Sequence, residues 1–188
     1  SYADIDCGDK NENTEAVVIG KHAIQSLNNL NISNAANGIR ITGFALIDNI
    51  TQCVFEDVKQ GISYQFCDFV DEINIQGCTF SKITDRAIYI AQNQAYLESI
   101  MISGSTFDNT SLSVNNSGSA IYITLNEQLA SVTLESNTFA AFAYLEGTIA
   151  SVFISDNEIL EEVLLEMNGF SSCGGAVLAN PKALYGGI

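Results

Sequence analysis

The chain has 188 residues, of which 47% are hydrophobic and 15% are charged, and its formal net charge is −15. This hydrophobicity excludes a disordered chain, and the acidity excludes nucleic-acid binding, which needs a basic surface. No stretch approaches the roughly 18 apolar residues of a membrane span, so the sequence predicts no membrane insertion.

The first 15 residues form an acidic N-terminal segment with oxygen-bearing side chains at alternate positions from Asp4 onwards. The segment lacks the central Asp-Gly order and the final glutamate of a calcium-binding loop. The five cysteines include no C-x-x-C pair, and His22 is the single histidine. The sequence therefore predicts no metal site and no cofactor.

Two short patterns alternate from residue 16 onwards. One is a small residue followed by an apolar-x-apolar strand, at 16–19, 38–41, 61–64, 87–90 and 120–123, and Tyr144 and Leu165 end two weaker copies. The other is an octet of apolar-x-apolar, turn-forming residues and an apolar anchor, at 48–55, 73–80, 100–107, 132–139 and 152–159. Such short strands gain stability when equivalent strands of successive coils pair in parallel.

The recurrence predicts an all-β fold, a right-handed single-stranded parallel β-helix of about six coils over residues 16–178. The third octet positions recur every 20 to 32 residues, which suits a three-sided coil with loops of variable length. Residues 179–188 are predicted to be a C-terminal tail or a link to further coils. An antiparallel sandwich and a propeller are alternatives, but neither requires one octet to return with one turn chemistry.

Three stacked columns follow from this arrangement, and each can be checked. The predicted aliphatic column contains Ile75, Ile102, Leu134 and Ile154, and the predicted aromatic column contains Phe80, Phe107 and Phe139. Ile32 is taken as the third octet position of the first coil. A ladder of small residues is predicted at Cys53, Cys78, Ser105, Asn137 and Asn157, passing hydrogen bonds from coil to coil.

The octets and the Ala-Ile-Tyr-Ile strands resemble the parallel β-helix repeats of the pectate-lyase-like superfamily. The Gly-Gly-Ala-Val at 174–177, with weaker versions at 86–88 and 119–121, is similar to repeats of polymorphic outer-membrane-type surface adhesins. The Gly-His-Gly and Arg-Ile-Lys motifs of the hydrolases in that superfamily are absent, and the seven basic residues are scattered. The resemblance therefore implies a β-helix at a cell surface and no catalytic residue.

The sequence thus favours a non-catalytic extracellular structural or surface module, such as a fibre or adhesin segment. Its expected partners are neighbouring subunits, bound end to end or laterally, or glycans. The alternative is a partial or degenerate polysaccharide lyase or glycoside hydrolase domain. An ice- or surface-binding β-helix ranks last, because flat Thr-x-Thr arrays are missing.

Two kinds of covalent modification are predicted. Cys53 and Cys78 occupy one octet position on consecutive coils, where strands about 4.8 Å apart permit a disulfide, although two buried thiols are the alternative. N-glycosylation motifs occur at Asn31, Asn49, Asn109 and Asn115, and they favour a secreted or cell-surface location.

Overall fold

The computed structural model describes residues 3–8, 14–21, 23–68, 70–112, 118–142, 150–173, 175 and 177–179. Within these residues the chain forms three parallel sheets, named A, B and C here, and no helix. The chain visits the sheets in the repeating order A, B, C. Each strand inside a sheet pairs with its equivalents one coil earlier and one coil later, and the first and last strands of each sheet have one such partner.

Sheet A has seven strands: Ala3–Asp6, Leu30–Ser33, Val54–Glu56, Thr79–Ser81, Thr106–Asp108, Thr138–Ala140 and Gly169–Ser171. Sheet B also has seven: Glu15–Ile19, Asn37–Gly43, Gln60–Cys67, Arg86–Ala91, Ile121–Thr124, Val152–Ser155 and Val177–Ala179. Sheet C has six: Ala23–Asn28, Leu46–Thr51, Glu72–Gln76, Tyr96–Ser103, Gln128–Glu135 and Glu162–Glu166. The prediction of a parallel β-helix of about six coils is confirmed. Coils also begin before residue 16, since Ala3–Asp6 pairs with Leu30–Ser33.

The predicted phenylalanine column runs along the inside of sheet A. The rings of Phe55, Phe80, Phe107, Phe139 and Phe170 stack in order, with centroids 4.6–4.9 Å apart. Planes of neighbouring rings differ by 3–7°. The strand spacing sets this distance, because side chains in register on parallel strands repeat at the interval of the strands. The column is therefore a direct consequence of the octet repeat.

The aliphatic column is confirmed for Ile75, Ile102 and Leu134, but the prediction for Ile154 is wrong. Ile154 lies in sheet B and pairs with Ile123, and Leu165 takes the position after Leu134 in sheet C. The fifth octet is therefore 163–170 rather than 152–159. Both segments read apolar-x-apolar followed by a turn and an asparagine, so the octet pattern alone does not distinguish them.

The first coil also differs from its prediction. Ile32 pairs with Phe55 and belongs to the phenylalanine column, whereas Leu27 pairs with Ile50 and holds the third octet position. Both positions are apolar in the first coil, and only the strand register separates them.

The polar ladder is confirmed through Cys78, Ser105 and Asn137, and it ends at Asn168 rather than Asn157. The backbone amide of Cys78 donates to Ser105 Oγ at 3.2 Å, and that of Ser105 donates to Asn137 Oδ1 at 2.9 Å. The Asn137 amide continues the series to Asn168 Oδ1 at 3.0 Å. Each turn thus satisfies its buried backbone donor with a side chain from the next coil.

A second ladder, absent from the sequence prediction, occupies the turn from sheet B to sheet C. Asn126 donates from Nδ2 to Asn157 Oδ1 at 2.8 Å, and its own Oδ1 accepts from Asn93 Nδ2 at 2.8 Å. These three side chains are at most 3% exposed. Asn157 therefore belongs to this ladder, which is the correction to its predicted place.

The glycines that begin two sheet B repeats have a packing reason. A Cβ at Gly61 would lie 2.5 Å from the carbonyl oxygen of Ala87 and 2.8 Å from the Phe80 ring. Gly38 stands in the same relation to Gly61 and Phe55. The phenylalanine column thus requires the smallest residue beside it on these coils.

Candidate functional site

At the C-terminal end of the described β-helix, core positions are more exposed than in the middle coils. Leu134 is fully buried, whereas Leu165, its partner one coil later, is 42% exposed. Phe170 is likewise only half-buried, although Phe139 before it is fully buried. These residues occupy core positions but lack a following coil among the described residues.

The N-terminal end presents the start of the same columns. Ile5 begins the column that ends at Phe170, and Leu27 begins the one that ends at Leu165. Both Ile5 and Leu27 are half-buried and pack against the core. The two ends of one chain therefore carry apolar groups at matching places.

The charged groups of the two ends lie in different sheets. Glu162 and Glu166 are exposed on the last strand of sheet C, whereas Asp4 and Asp6 are exposed on the first strand of sheet A. Hydrogen bonds from the Asn34 side chain and the Gly8 amide lower the pKa of Asp6, so its carboxylate persists into acid.

The outer surface of sheet B carries an unusual column of side chains, called the outer B column here. Its members face outward at one register position on successive coils: Arg40, Ser63, Tyr89, Tyr122 and Phe153. Tyr122 and Phe153 stack with centroids 4.5 Å apart, and Tyr89 is turned by 67° from Tyr122 at 5.8 Å. An aromatic strip therefore runs parallel to the coil axis.

Arg86 connects this aromatic strip to the neighbouring side chains of Asp85 and Gln60. Its guanidinium lies 4.6 Å from the Tyr89 ring centre and 4.5 Å from that of Tyr122. It also pairs with Asp85 Oδ2 at 3.2 Å, and the same oxygen accepts from Gln60 Nε2 at 2.7 Å. Two donors on one carboxylate oxygen fix the orientation of Asp85.

A shallow depression of about 180 Å³ opens next to this group. Its lining consists of Ala36, Asn37, Lys59, Gln60 and Asp85. Four of these five side chains are polar, and together they offer both donors and acceptors. The depression therefore suits a small polar ligand rather than an apolar one.

Ser63 is the one fully buried polar residue of the outer B column. Its hydroxyl has no hydrogen-bond partner in the described part of the chain. A buried hydroxyl without a partner is costly, so a water molecule or a ligand group is expected to complete its bonding. Arg40 beside it pairs with Glu15 at 3.0 Å and keeps 41% of its side chain exposed.

The two predicted disulfide partners lie in contact. Cys53 and Cys78 are at most 1% exposed, and the amide of Thr79 donates to the Cys53 carbonyl at 2.9 Å between their strands. The structure contains both as free thiols. Hydrogen bonding by the Cys78 thiol lowers the pKa of Cys53 to about 7 and raises that of Cys78. Their oxidation stays a prediction.

The glycosylation motifs have different surroundings. Asn31 and Asn49 lie on outer strand surfaces, where Asn31 donates to Asp4 at 2.7 Å. Asn109 is fully buried, and its amide group both donates to and accepts from the Ile83 backbone at 2.8 Å. A glycan on Asn109 is incompatible with this packing, because it would replace an Nδ2 hydrogen inside the core. Asn115, like His22 and Tyr144, is outside the described residues.

Carboxylates gather on sheet C. Asp48, Asp71, Glu72 and Glu98 line an open depression of about 290 Å³. Among the described residues, no group of three or more histidine, cysteine or acidic side chains is arranged to hold a metal ion. The described chain also contains no helix long and apolar enough to cross a membrane.

No protein-family model, curated protein or solved structure matches the chain.

Proposed function

We propose that this chain is a non-catalytic structural β-helix of a secreted or cell-surface assembly, and that copies stack end to end into fibres. The supporting observation is the exposure of Leu165, at 42%, in a column whose four members on the coils immediately before it are fully buried. Covering that column with a further parallel coil would remove apolar surface from water and pair the open strand edge.

A second copy is the partner that fits this end best. With the stacking register of the chain continued, Leu27 of one copy would lie over Leu165 of the other, and Ile5 over Phe170. The same register sets Glu166 beside Asn28, and Asp6 beside Ser171, so no described carboxylates of the two ends become neighbours. Head-to-tail contacts of this kind do not close on themselves and therefore produce filaments.

The location outside the cell and the adhesin-like role belong to this proposal. The half-buried positions of Asn31 and Asn49 on the outer side of their strands support it, because glycans there would leave the core intact. The proposed kinship is with parallel β-helix surface proteins of the adhesin type, within the pectate-lyase-like architecture.

Light scattering coupled to size exclusion, together with electron microscopy, tests the stacking. We expect the mass to rise with protein concentration, and to rise further with salt, because salt screens the repulsion between copies of charge −15. Leu165→Glu should abolish the assembly. Leu164→Glu is the matched control, since Leu164 is similarly exposed, at 38%, but faces outward, and its assembly should persist.

A monodisperse monomer at high concentration in physiological salt would contradict the proposal, as would equal effects of the two substitutions. The absence of catalysis is tested separately, by incubating the purified protein with pectin, alginate and neutral polysaccharides. We expect no product. Release of sugar that is lost on substituting Asp71 or Glu98 would favour the degenerate-enzyme alternative instead.

A further inference from the structure

We infer that the outer face of sheet B is a saccharide-binding site, in which the depression beside Gln60 holds one sugar ring and the adjoining aromatic strip supports the next. The ligand class is a neutral, hydroxyl-rich glycan. The site lies on the side of the β-helix, whereas the proposed stacking uses its ends, so either can hold without the other.

The lining of the depression matches the chemistry of sugar hydroxyls. A hydroxyl both donates and accepts, and the depression provides amide groups from Asn37 and Gln60, an ammonium from Lys59 and a carboxylate from Asp85. Both hydrogen bonds to Asp85 use Oδ2, which leaves Oδ1 as an acceptor in the described part of the chain. Its volume, about 180 Å³, is close to that of a single sugar ring.

Ser63 supplies an independent reason to expect a ligand here. Its buried hydroxyl has no described partner, and it lies between Arg40 and Tyr89 in the outer B column. The Arg40 side chain is 41% exposed and is held by an ion pair with Glu15, so a ligand can displace it at little cost. A ligand hydroxyl would then satisfy Ser63.

Charge favours a neutral glycan over an acidic one. Three of the seven basic residues, Arg40, Lys59 and Arg86, gather on this face, but Glu15 and Asp85 pair with two of them. The face is therefore close to neutral on a molecule of charge −15, and it neither strongly attracts nor repels an uncharged sugar.

The aromatic strip extends the proposed binding site along the coil axis. Tyr89, Tyr122 and Phe153 are half-buried and follow the coil axis, and Arg86 connects the first two rings to Asp85. The C–H faces of sugars pack on aromatic side chains in the same way as other apolar groups. A glycan of several units can thus extend from the depression along the strip, with coils about 4.8 Å apart.

Isothermal titration with soluble gluco-, manno-, galacto- and xylo-oligosaccharides of increasing length tests the site. We expect at least one series to bind at physiological salt, more tightly as the chain lengthens. Asp85→Ala and Gln60→Ala should weaken binding about tenfold for all lengths. Tyr122→Ala should cost about fivefold, and only for the longer oligosaccharides.

Tyr96→Ala is the matched control, because Tyr96 is an exposed tyrosine on sheet C, at 50%, and its loss should leave affinity within about twofold. Gln60→Glu keeps the side-chain size, so it tests the amide if the alanine variant unfolds. Thermal melting by circular dichroism verifies the fold of each variant. No binding to any oligosaccharide, equal binding by all variants, or binding only to acidic glycans that physiological salt abolishes would each overturn the inference.

Discussion

The middle coils and the last coil of this β-helix carry the same octet, yet they differ in burial. Phe107 and Leu134 are fully buried between neighbouring coils, whereas Phe170 is half-buried and Leu165 is 42% exposed. In a solenoid each repeat contacts only its neighbours, so a core position is made by the coil above and the coil below. The difference shows that an identical residue pattern is buried between two coils in one place and partly exposed at the last described coil in another.

Substitutions in the phenylalanine column test most directly whether the middle coils are more stable than the last coil. Phe107→Ala removes a ring stacked on both sides, and it should lower the free energy of unfolding by about 3–5 kcal/mol. Phe170→Ala removes a ring that is stacked on one side only among the described residues, and the loss should be about half as large. Urea denaturation of both variants under monomeric conditions measures the two values.

Equal losses of unfolding free energy at Phe107 and Phe170 would mean that the last coil contributes as much stability as a middle coil. Phe107→Leu is the control for volume, because it keeps an apolar side chain in the column. It should cost about 1–2 kcal/mol, less than the alanine variant.

The cysteine pair allows the third and fourth coils to be stabilised without changing the C-terminal end. A Cys53–Cys78 disulfide closes a loop of about 25 residues, which restricts the unfolded chain and should raise the free energy of unfolding by roughly 3 kcal/mol. Peptide mapping without reductant detects the linked pair, and thermal unfolding with and without reductant measures its effect.

Cys53→Ser is the control, since it removes the bond and should make unfolding insensitive to reductant. Complete alkylation of both thiols in protein that was unfolded but never reduced would contradict the disulfide. The two residues would then act as buried apolar side chains.

Substitutions in the asparagine ladders compare a buried position with a position at the end of the β-helix, and their expected effect on stability is smaller. Asn126→Ala leaves the Asn93 amide and the Ile90 carbonyl without their side-chain partners, and it should cost about 2–3 kcal/mol. Asn168→Ala, at the half-buried end of the other ladder, should cost about 1 kcal/mol, because water replaces the lost bonds.

Amide hydrogen exchange locates the effect. Protection should fall around Asn93 and Asn126 in the first variant and stay unchanged there in the second. Global loss of protection in both variants would indicate that the ladders act on the whole molecule rather than on neighbouring coils.

The amino-acid sequence is sufficient to predict the parallel β-helix, the phenylalanine column and the ladder from Cys78 to Asn137. These follow from strict recurrence, since residues at one position of a repeat must stack at the strand spacing.

The assignment of strands to sheets near the C-terminal end is visible only in the tertiary structure. Segments 152–159 and 163–170 share the apolar-x-apolar start, and both turn at a residue with positive φ, Asp156 at 55° and Met167 at 51°, followed by asparagine. Local chemistry is therefore the same in both, and the pairing of Ile154 with Ile123 and of Leu165 with Leu134 separates them. The outer B column and the burial of Asn109 likewise depend on residues more than 20 positions apart, which register and loop length bring together.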